Sequence, residues 1–274
     1  MIDITYDESC SELIIEEHFH NSYETICVLE GMVLFHIGSR TYNIAPGNIV
    51  FVNNLENHRM KVLSSPYKRY FALIDPAWFQ TAVNDPVLLS IFKNRPGHFN
   101  HAIQLDENAM KYVSGLFKRM MTETGEKKPY WELAVESGLK ELLIFLYRNY
   151  RASFPVMAYT KSMETIFKVQ KYIEENCSDE ITLETVAKTF YMDKYYLSRL
   201  FKETTGFTFK EYLILQRISR AKERLFSTND SIIKVGIDSG FNNVNHFIRI
   251  FKKYTGTSPL KYRLAYRSKD LGGV

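Results

Sequence analysis

The period of apolar positions changes partway along the chain. Up to about residue 80, the apolar positions fall in short runs, each the length of a strand: 16–20 (EEHFH), 23–31 (YETICVLEG), 33–38 (VLFHIG), 41–45 (TYNIA), 48–53 (NIVFVN) and 68–74 (KRYFALI). They are rich in β-branched and aromatic residues. Turn formers punctuate them at Glu30–Gly31, Gly38–Ser39, Pro46–Gly47, Asn53–Asn54 and Ser64–Pro66. Short strands at this spacing predict a small all-β barrel or sandwich, with an interior of ligand size.

Beyond Pro76 the period becomes helical. Trp78 and Phe79 are expected to pack a loop, and 81–103 is irregular apart from a short helix near 87–93. Two longer helices follow, over 106–124 (Val113, Leu116, Phe117, Met120) and 130–150 (Leu139, Leu142, Leu143, Leu146). Gly125 and Pro129 separate them, which predicts an antiparallel hairpin. Ile144, Phe145 and Tyr147 leave apolar groups on more than one face of the second helix, the pattern of a self-association surface. The division expected is a barrel over 1–80, a dimerising hairpin over 81–151, a linker over 152–163 around Pro155, and a helical domain over 164–274.

That last domain is one pattern written twice. Arg199, Phe201, Lys202, Thr205, Gly206 and Tyr212 recur 50 residues later as Arg249, Phe251, Lys252, Thr255, Gly256 and Tyr262. A fixed offset signals a duplicated structural unit. In each copy a short helix (Val186 and Ala187; Val235) leads through a turn to a second helix. Asp193 and Asn243 are the predicted N-caps. Leu197, Leu200 and Phe201, and then Phe247, Ile250 and Phe251, form the buried faces. Tyr195, Ser198, Arg199 and Lys202 are left outside in the first copy, and Asn245, His246, Arg249 and Lys252 in the second. This is a helix-turn-helix twice over. Its outward side chains suit base edges in a major groove (Arg to guanine, Asn to adenine), with the lysines on phosphates. A helix over 209–226 joins the copies. At ~1.5 Å per residue it suits two successive major grooves of double-stranded DNA.

Charge strengthens this reading. The net charge is +4, but residues 160–274 hold 20 basic and 13 acidic side chains, whereas 1–159 hold 15 and 18. A basic C-terminal half favours a polyanion. The three cysteines (Cys10, Cys27, Cys177) are scattered, as expected of free thiols in a reducing compartment. The start of the chain has no basic-then-apolar leader, and no apolar run reaches membrane-spanning length. A soluble, cytoplasmic protein that does not engage membranes is expected.

One further constellation carries chemistry. His18 and His20 are two apart, so they would share one face of a strand, and Glu24 and Gly31 follow. The spacing H-x-H-x3-E-x6-G resembles the first motif of the cupin superfamily, and Pro46–Gly47 through His58 resembles the second. Glu12 stands where the first motif begins with glycine. The resemblance implies a ligand site at His18, His20, Glu24 and His58. Its alternative is a divalent metal at the same four residues, and with it a metal-dependent cupin enzyme fused to a DNA-binding domain. His36, without such neighbours, reads as structural.

Residues 182–263 resemble the DNA-binding domain of the AraC/XylS family of transcription regulators. The resemblance is carried by Leu183, Val186–Ala187, Tyr196 to Lys202, Thr205–Gly206, Tyr212, Arg217, Gly240–Phe241, Phe247, Arg249, Phe251–Lys252, Gly256, Ser258–Pro259 and Tyr262–Arg263. It implies an α+β, multidomain regulator that is no enzyme and carries no cofactor. A cupin-like sensor would bind a small-molecule effector such as a sugar, and the eight outward residues above would contact DNA. It also names a homodimer, with RNA polymerase as a candidate partner. Gly236 stands where the family has alanine and Ser239 where a hydrophobic residue is common, which implies a less rigid second copy.

Overall fold

The computed structural model describes residues 2–10, 13–93, 95, 99–155 and 160–270. Glu12 and residues 156–159 of the expected linker lie outside them. The chain forms two compact units, Met1–Thr160 and Lys161–Val274.

The first unit contains strands β1 (Ile2–Ser9), β2 (Ile14–His18), β3 (Tyr23–Ile37), β4 (Arg40–Ile44), β5 (Asn48–Val52), β6 (His58–Ile74) and β7 (Ala102–Gln104). Helices α1 (Pro76–Val83), α2 (Pro86–Leu89), α3 (Glu107–Glu126) and α4 (Trp131–Asn149) complete it. The strands pair in the order β1-β6-β3-β5-β7, with β2 on β6 and β4 on β3. Long, bent β3 and β6 form the spine.

Two expected turns are bends inside these strands. β3 runs through Glu30–Gly31, and its register with β6 slips between Val28 and Val33. Gly31 has a φ of 81°, and a Cβ there would lie 2.6 Å from the Pro66 carbonyl oxygen, so the close bulge excludes other residues. Ser64–Pro66 lies within β6 on the other side of that bulge. Turn-forming residues here bend a continuous pair of strands instead of ending it.

Each face of the sheet has its own core. Ile26, Val28, Val33, Phe35, Val52 and Met60 fill the barrel interior. Cys27, Ile49, Phe51 and Tyr70 face the other way, onto Val113 and Leu116 of α3 and Leu139 and Leu143 of α4. The hairpin therefore shares a core with the sheet. β7 also pairs with β5 (Ile49 opposite Ile103), so 1–80 and 81–151 make one compact unit instead of two domains. Trp78 and Phe79 sit in α1, which starts at Pro76 and is capped by Asp75. α2 stops at Leu89, short of the expected 93. α3 passes through Gly125, where a Cβ would meet nothing, and ends one residue later.

The second unit is helical: α5 (Lys161–Asn176), α6 (Leu183–Thr189), α7 (Lys194–Thr205), α8 (Phe209–Ser227), α9 (Ile232–Asp238), α10 (Val244–Thr255) and α11 (Pro259–Asp270). α5 begins at Lys161, so the last residues of the expected linker are helical. Ile166, Val169, Ile173, Leu197, Phe201 and Ile218 are fully buried, and so are Phe247 and Phe251. Among the described residues no helix is long and apolar enough to cross a membrane.

Candidate functional site

The duplicated units repeat at the level of single hydrogen bonds. Asp193 caps α7 by accepting from the Tyr195 and Tyr196 amides, and Asn243 caps α10 by accepting from the His246 amide. Thr205 Oγ1 donates to the Phe201 and Phe207 carbonyls at 2.7 and 3.1 Å. Fifty residues on, Thr255 Oγ1 donates to Phe251 and Thr257 at 2.8 and 2.9 Å. Gly206 and Gly256 close both helices at φ 79° and 73°. The first helices are offset differently: α9 begins 49 residues after α6, because the second turn holds one more residue.

The caps fix which side chains face outward. Tyr195 is 80% exposed, and Arg199, Lys202, Asn245, His246, Arg249 and Lys252 are exposed too, while Ser198 is half-buried. Among the described residues none of Arg199, Lys202, Arg249 and Lys252 pairs with a carboxylate. The Arg199 guanidinium lies over the Tyr196 ring, 5.8 Å from its centroid. Leu200 and Ile250 are only half-buried; Leu197/Phe201 and Phe247/Phe251 anchor the helices. Tyr191, in the first turn, is 98% exposed at φ 54°, and sequence reasoning passed over it because nothing in the pattern marks a left-handed tyrosine.

Gly236 is a point of close helix contact in the second copy. A Cβ there would meet Phe247 Cδ1 at 2.7 Å, so glycine lets α9 and α10 approach closely over a phenylalanine where the first copy has Leu197. Ser239 is fully buried, and its Oγ has no hydrogen-bond partner among the described residues. Gly240 (φ 90°) packs its Cα against the end of α5, where a Cβ would lie 2.6 Å from the Cys177 carbonyl oxygen. Arg217 of α8 donates to that carbonyl at 2.7 Å and to the Asp179 carbonyl at 2.8 Å. One half-buried bracket thus ties the connecting helix, the start of the unit and the second turn together.

In the first unit, the four predicted residues come together at one end of the barrel. His18 ends β2 directly opposite His58 of β6. His20 lies just past the strand, and its carbonyl accepts from the Leu55 amide at 2.8 Å. Glu24, 4% exposed, precedes Ile26 and Val28 on the inward face of β3. Its Oε2 is 2.9 Å from His20 Nε2 and 3.1 Å from His58 Nε2. Burial works to raise the Glu24 carboxyl, but hydrogen bonds from His20 and His58 outweigh it and hold it well below the usual carboxylate range. Burial, and then the neighbouring His58 ring, push His18 down to about 4. His36 stands apart, its Nδ1 2.8 Å from Thr41 Oγ1.

A second buried charged group adjoins the first. Glu56 accepts from Arg95 Nη1 and from His101 Nε2, both at 3.0 Å. The Glu56 carbonyl accepts from His58 Nδ1 at 2.9 Å. No motif pointed to Arg95 or His101, since their partner is 39 or 45 residues away.

Two family models cover most of the chain: an AraC-like ligand binding domain over residues 4–143 and a helix-turn-helix domain over 186–265. The HTH-type transcriptional activator RhaS of Enterobacter sp. (strain 638) is 24% identical over 90% of this chain and 87% of its own length. The uncharacterized HTH-type transcriptional regulator YfiF of Bacillus subtilis (strain 168) is 26% identical over 93% and 80%. In fold, the chain is similar to ToxT of Vibrio cholerae strain SCE256, solved with an unsaturated fatty acid bound. The TM-score is 0.63 at 13% identity, covering 96% of this chain and 94% of that one.

Proposed function

The chain belongs to the AraC family of DNA-binding transcription regulators, and from that premise we propose which residues read DNA and what the sensor domain takes. The eight outward residues of α7 and α10 are the DNA contacts: Tyr195, Ser198, Arg199 and Lys202, then Asn245, His246, Arg249 and Lys252. The observation that carries this is the recurrence of Arg199 and Lys202 as Arg249 and Lys252 on two helices with matching caps and hydrogen bonds, with these cations unpaired with carboxylates among the described residues. Arg199 and Arg249 specify by bidentate contact, and Lys202 and Lys252 hold phosphates. Each arginine replaced by alanine is expected to weaken specific binding by about 1–3 kcal/mol and relax sequence preference, and each lysine to lower the salt slope by about 1. Titration of selected genomic fragments measures both. Wild-type affinity and selectivity in both arginine variants would contradict the assignment.

The sensor takes a small polar effector at His18, His20, Glu24 and His58. ToxT was solved with a fatty acid. Here the inward groups at the barrel end are three imidazoles and a carboxylate, while aliphatic and aromatic side chains already fill the interior behind them. That supports an effector rich in hydroxyls, a sugar or related metabolite, over a hydrocarbon chain. The relatives named above are transcription regulators, and the reading as a metal-dependent enzyme has no support among them.

Dimerisation falls to the hairpin in this reading. Leu133 (58% exposed) and Ile144 (39% exposed) share one stripe of α4, eleven residues or about three turns apart. Sedimentation of Leu133→Glu/Ile144→Glu is expected to show monomers where the wild type is dimeric; an unchanged dimer would move the interface elsewhere. The regulator acts in the cytoplasm, on promoter DNA within reach of RNA polymerase.

A further inference from the structure

The two copies of the helix-turn-helix agree hydrogen bond for hydrogen bond through their turns, and differ in the residue placed there. In the first, the Phe190, Tyr191 and Met192 amides donate to the Val186, Lys188 and Ala187 carbonyls at 3.0, 3.2 and 2.9 Å. Forty-nine residues on, the Ser239, Gly240 and Phe241 amides donate to the Val235, Ile237 and Gly236 carbonyls at 3.1, 2.8 and 3.0 Å. Tyr191 is therefore the counterpart of Gly240. Both are left-handed, at φ 54° and 90°. Glycine takes that conformation freely, whereas a tyrosine takes it at an energetic cost.

Burial does not offset that cost. Gly240 packs its Cα against the end of α5, but Tyr191 is 98% exposed. The residues around it are held in place: the Phe190 ring lies edge-on to Tyr172 of α5, 5.8 Å between centroids, and Asp193 caps α7. The turn is thus fixed on both sides of a large side chain that projects into solvent. A strained residue that the fold itself does not use points to a contact made outside the fold.

The position of Tyr191 identifies the partner. It stands two residues before the Asp193 cap of α7, and the N-terminal end of a reading helix is the part that meets base edges in a major groove. The phosphates of the groove's edges flank that end, and a tyrosine hydroxyl is a neutral donor to them. We propose that Tyr191 docks on the sugar–phosphate backbone at the edge of the groove that α7 occupies, with its hydroxyl donating to a phosphate oxygen. The contact positions the first reader without reading sequence. The second copy, with Gly240 at this point, has no equivalent, so the two readers hold DNA unequally. The inference rests on reading α7 as a DNA contact and deepens it by one residue outside the helix.

The test titrates the full-length protein with a selected genomic fragment and with a duplex of shuffled sequence, as wild type and as Tyr191→Phe, Tyr191→Gly, Arg199→Ala and Arg249→Ala. Both Tyr191 variants should bind about tenfold more weakly on both duplexes, the loss expected of one hydrogen bond to a phosphate. Their salt slope should stay that of the wild type, because a neutral side chain releases no counterion. The melting temperature of Tyr191→Gly should not fall, because glycine suits the left-handed turn. Wild-type affinity in both Tyr191 variants, beside a loss in the arginine variants, overturns this inference and leaves α7 as a reader. If the arginine variants also bind as the wild type, the DNA-contact reading falls with it. A loss confined to the selected fragment would move the ring to base edges, and weaker binding with a lowered melting temperature in both Tyr191 variants would give it a structural role. Either result contradicts the backbone contact.

Discussion

Two residues decide questions that helix propensity would answer wrongly. Gly236 in a helix interior suggests a gain of about 1 kcal/mol on replacement by alanine. The 2.7 Å approach to Phe247 reverses the sign. Gly236→Ala must push a fully buried ring, and the expected loss is about 1–3 kcal/mol in thermal or urea unfolding, with a stabilised variant as the contradicting result. Lys222 of α8 sits with its ammonium 5.9 Å from the centre of the Tyr262 ring, and burial pushes it down from 10.5 to about 8. The folded state thus holds this proton less tightly than the unfolded chain. Unfolding takes up a proton between pH about 8 and 10.5, so this group's contribution to stability rises with pH across that window and is a constant penalty below it. Lys222→Met should therefore stabilise the second unit at pH 7, by about 1–2 kcal/mol once partial exposure is discounted, and the gain should shrink towards pH 10.5. A gain independent of pH would assign the effect to packing alone.

At the scale of elements, what the sequence made legible was whatever its local pattern determines. Asp193 and Asn243 cap where a polar residue precedes an apolar stripe, and α8 starts at a Thr208–Glu211 capping box. The four-residue cluster was legible because its members carry chemistry at recognisable spacing. Strand ends were not, because Gly31 and Pro66 look like turn residues and only the pairing partner reveals a bulge. Strand β1 was overlooked: its partner is at the far end of β6, with Ile2 opposite Ile74. The Glu56–Arg95–His101 group was invisible for the same reason, since long-range pairs leave no local period. The half-burial of Leu200 and Ile250 also depends on neighbours that the sequence of one helix does not contain.

Seen whole, the chain joins a sensor with buried polar chemistry at one end of a barrel to a pair of capped, cationic helices. The second unit is unusually self-consistent. Its repeat holds from residue identity through caps to the Thr205 and Thr255 hydrogen bonds, and Arg217 and Gly240 lock the connecting helix to the second turn. α8 is 19 residues, so it spans on the order of 28 Å, near the ~34 Å that separates successive major grooves on one DNA face. In the proposed reading, two readers joined by such a rod would occupy neighbouring grooves together. The direct measurement is a hydroxyl-radical footprint of the full-length protein on a selected genomic site, repeated with Arg199→Ala and Arg249→Ala. Two protected patches about one helical turn apart are expected, with each variant losing protection in a different patch. A single patch, or both variants losing the same one, would contradict the account of two independent readers on one rigid spacer.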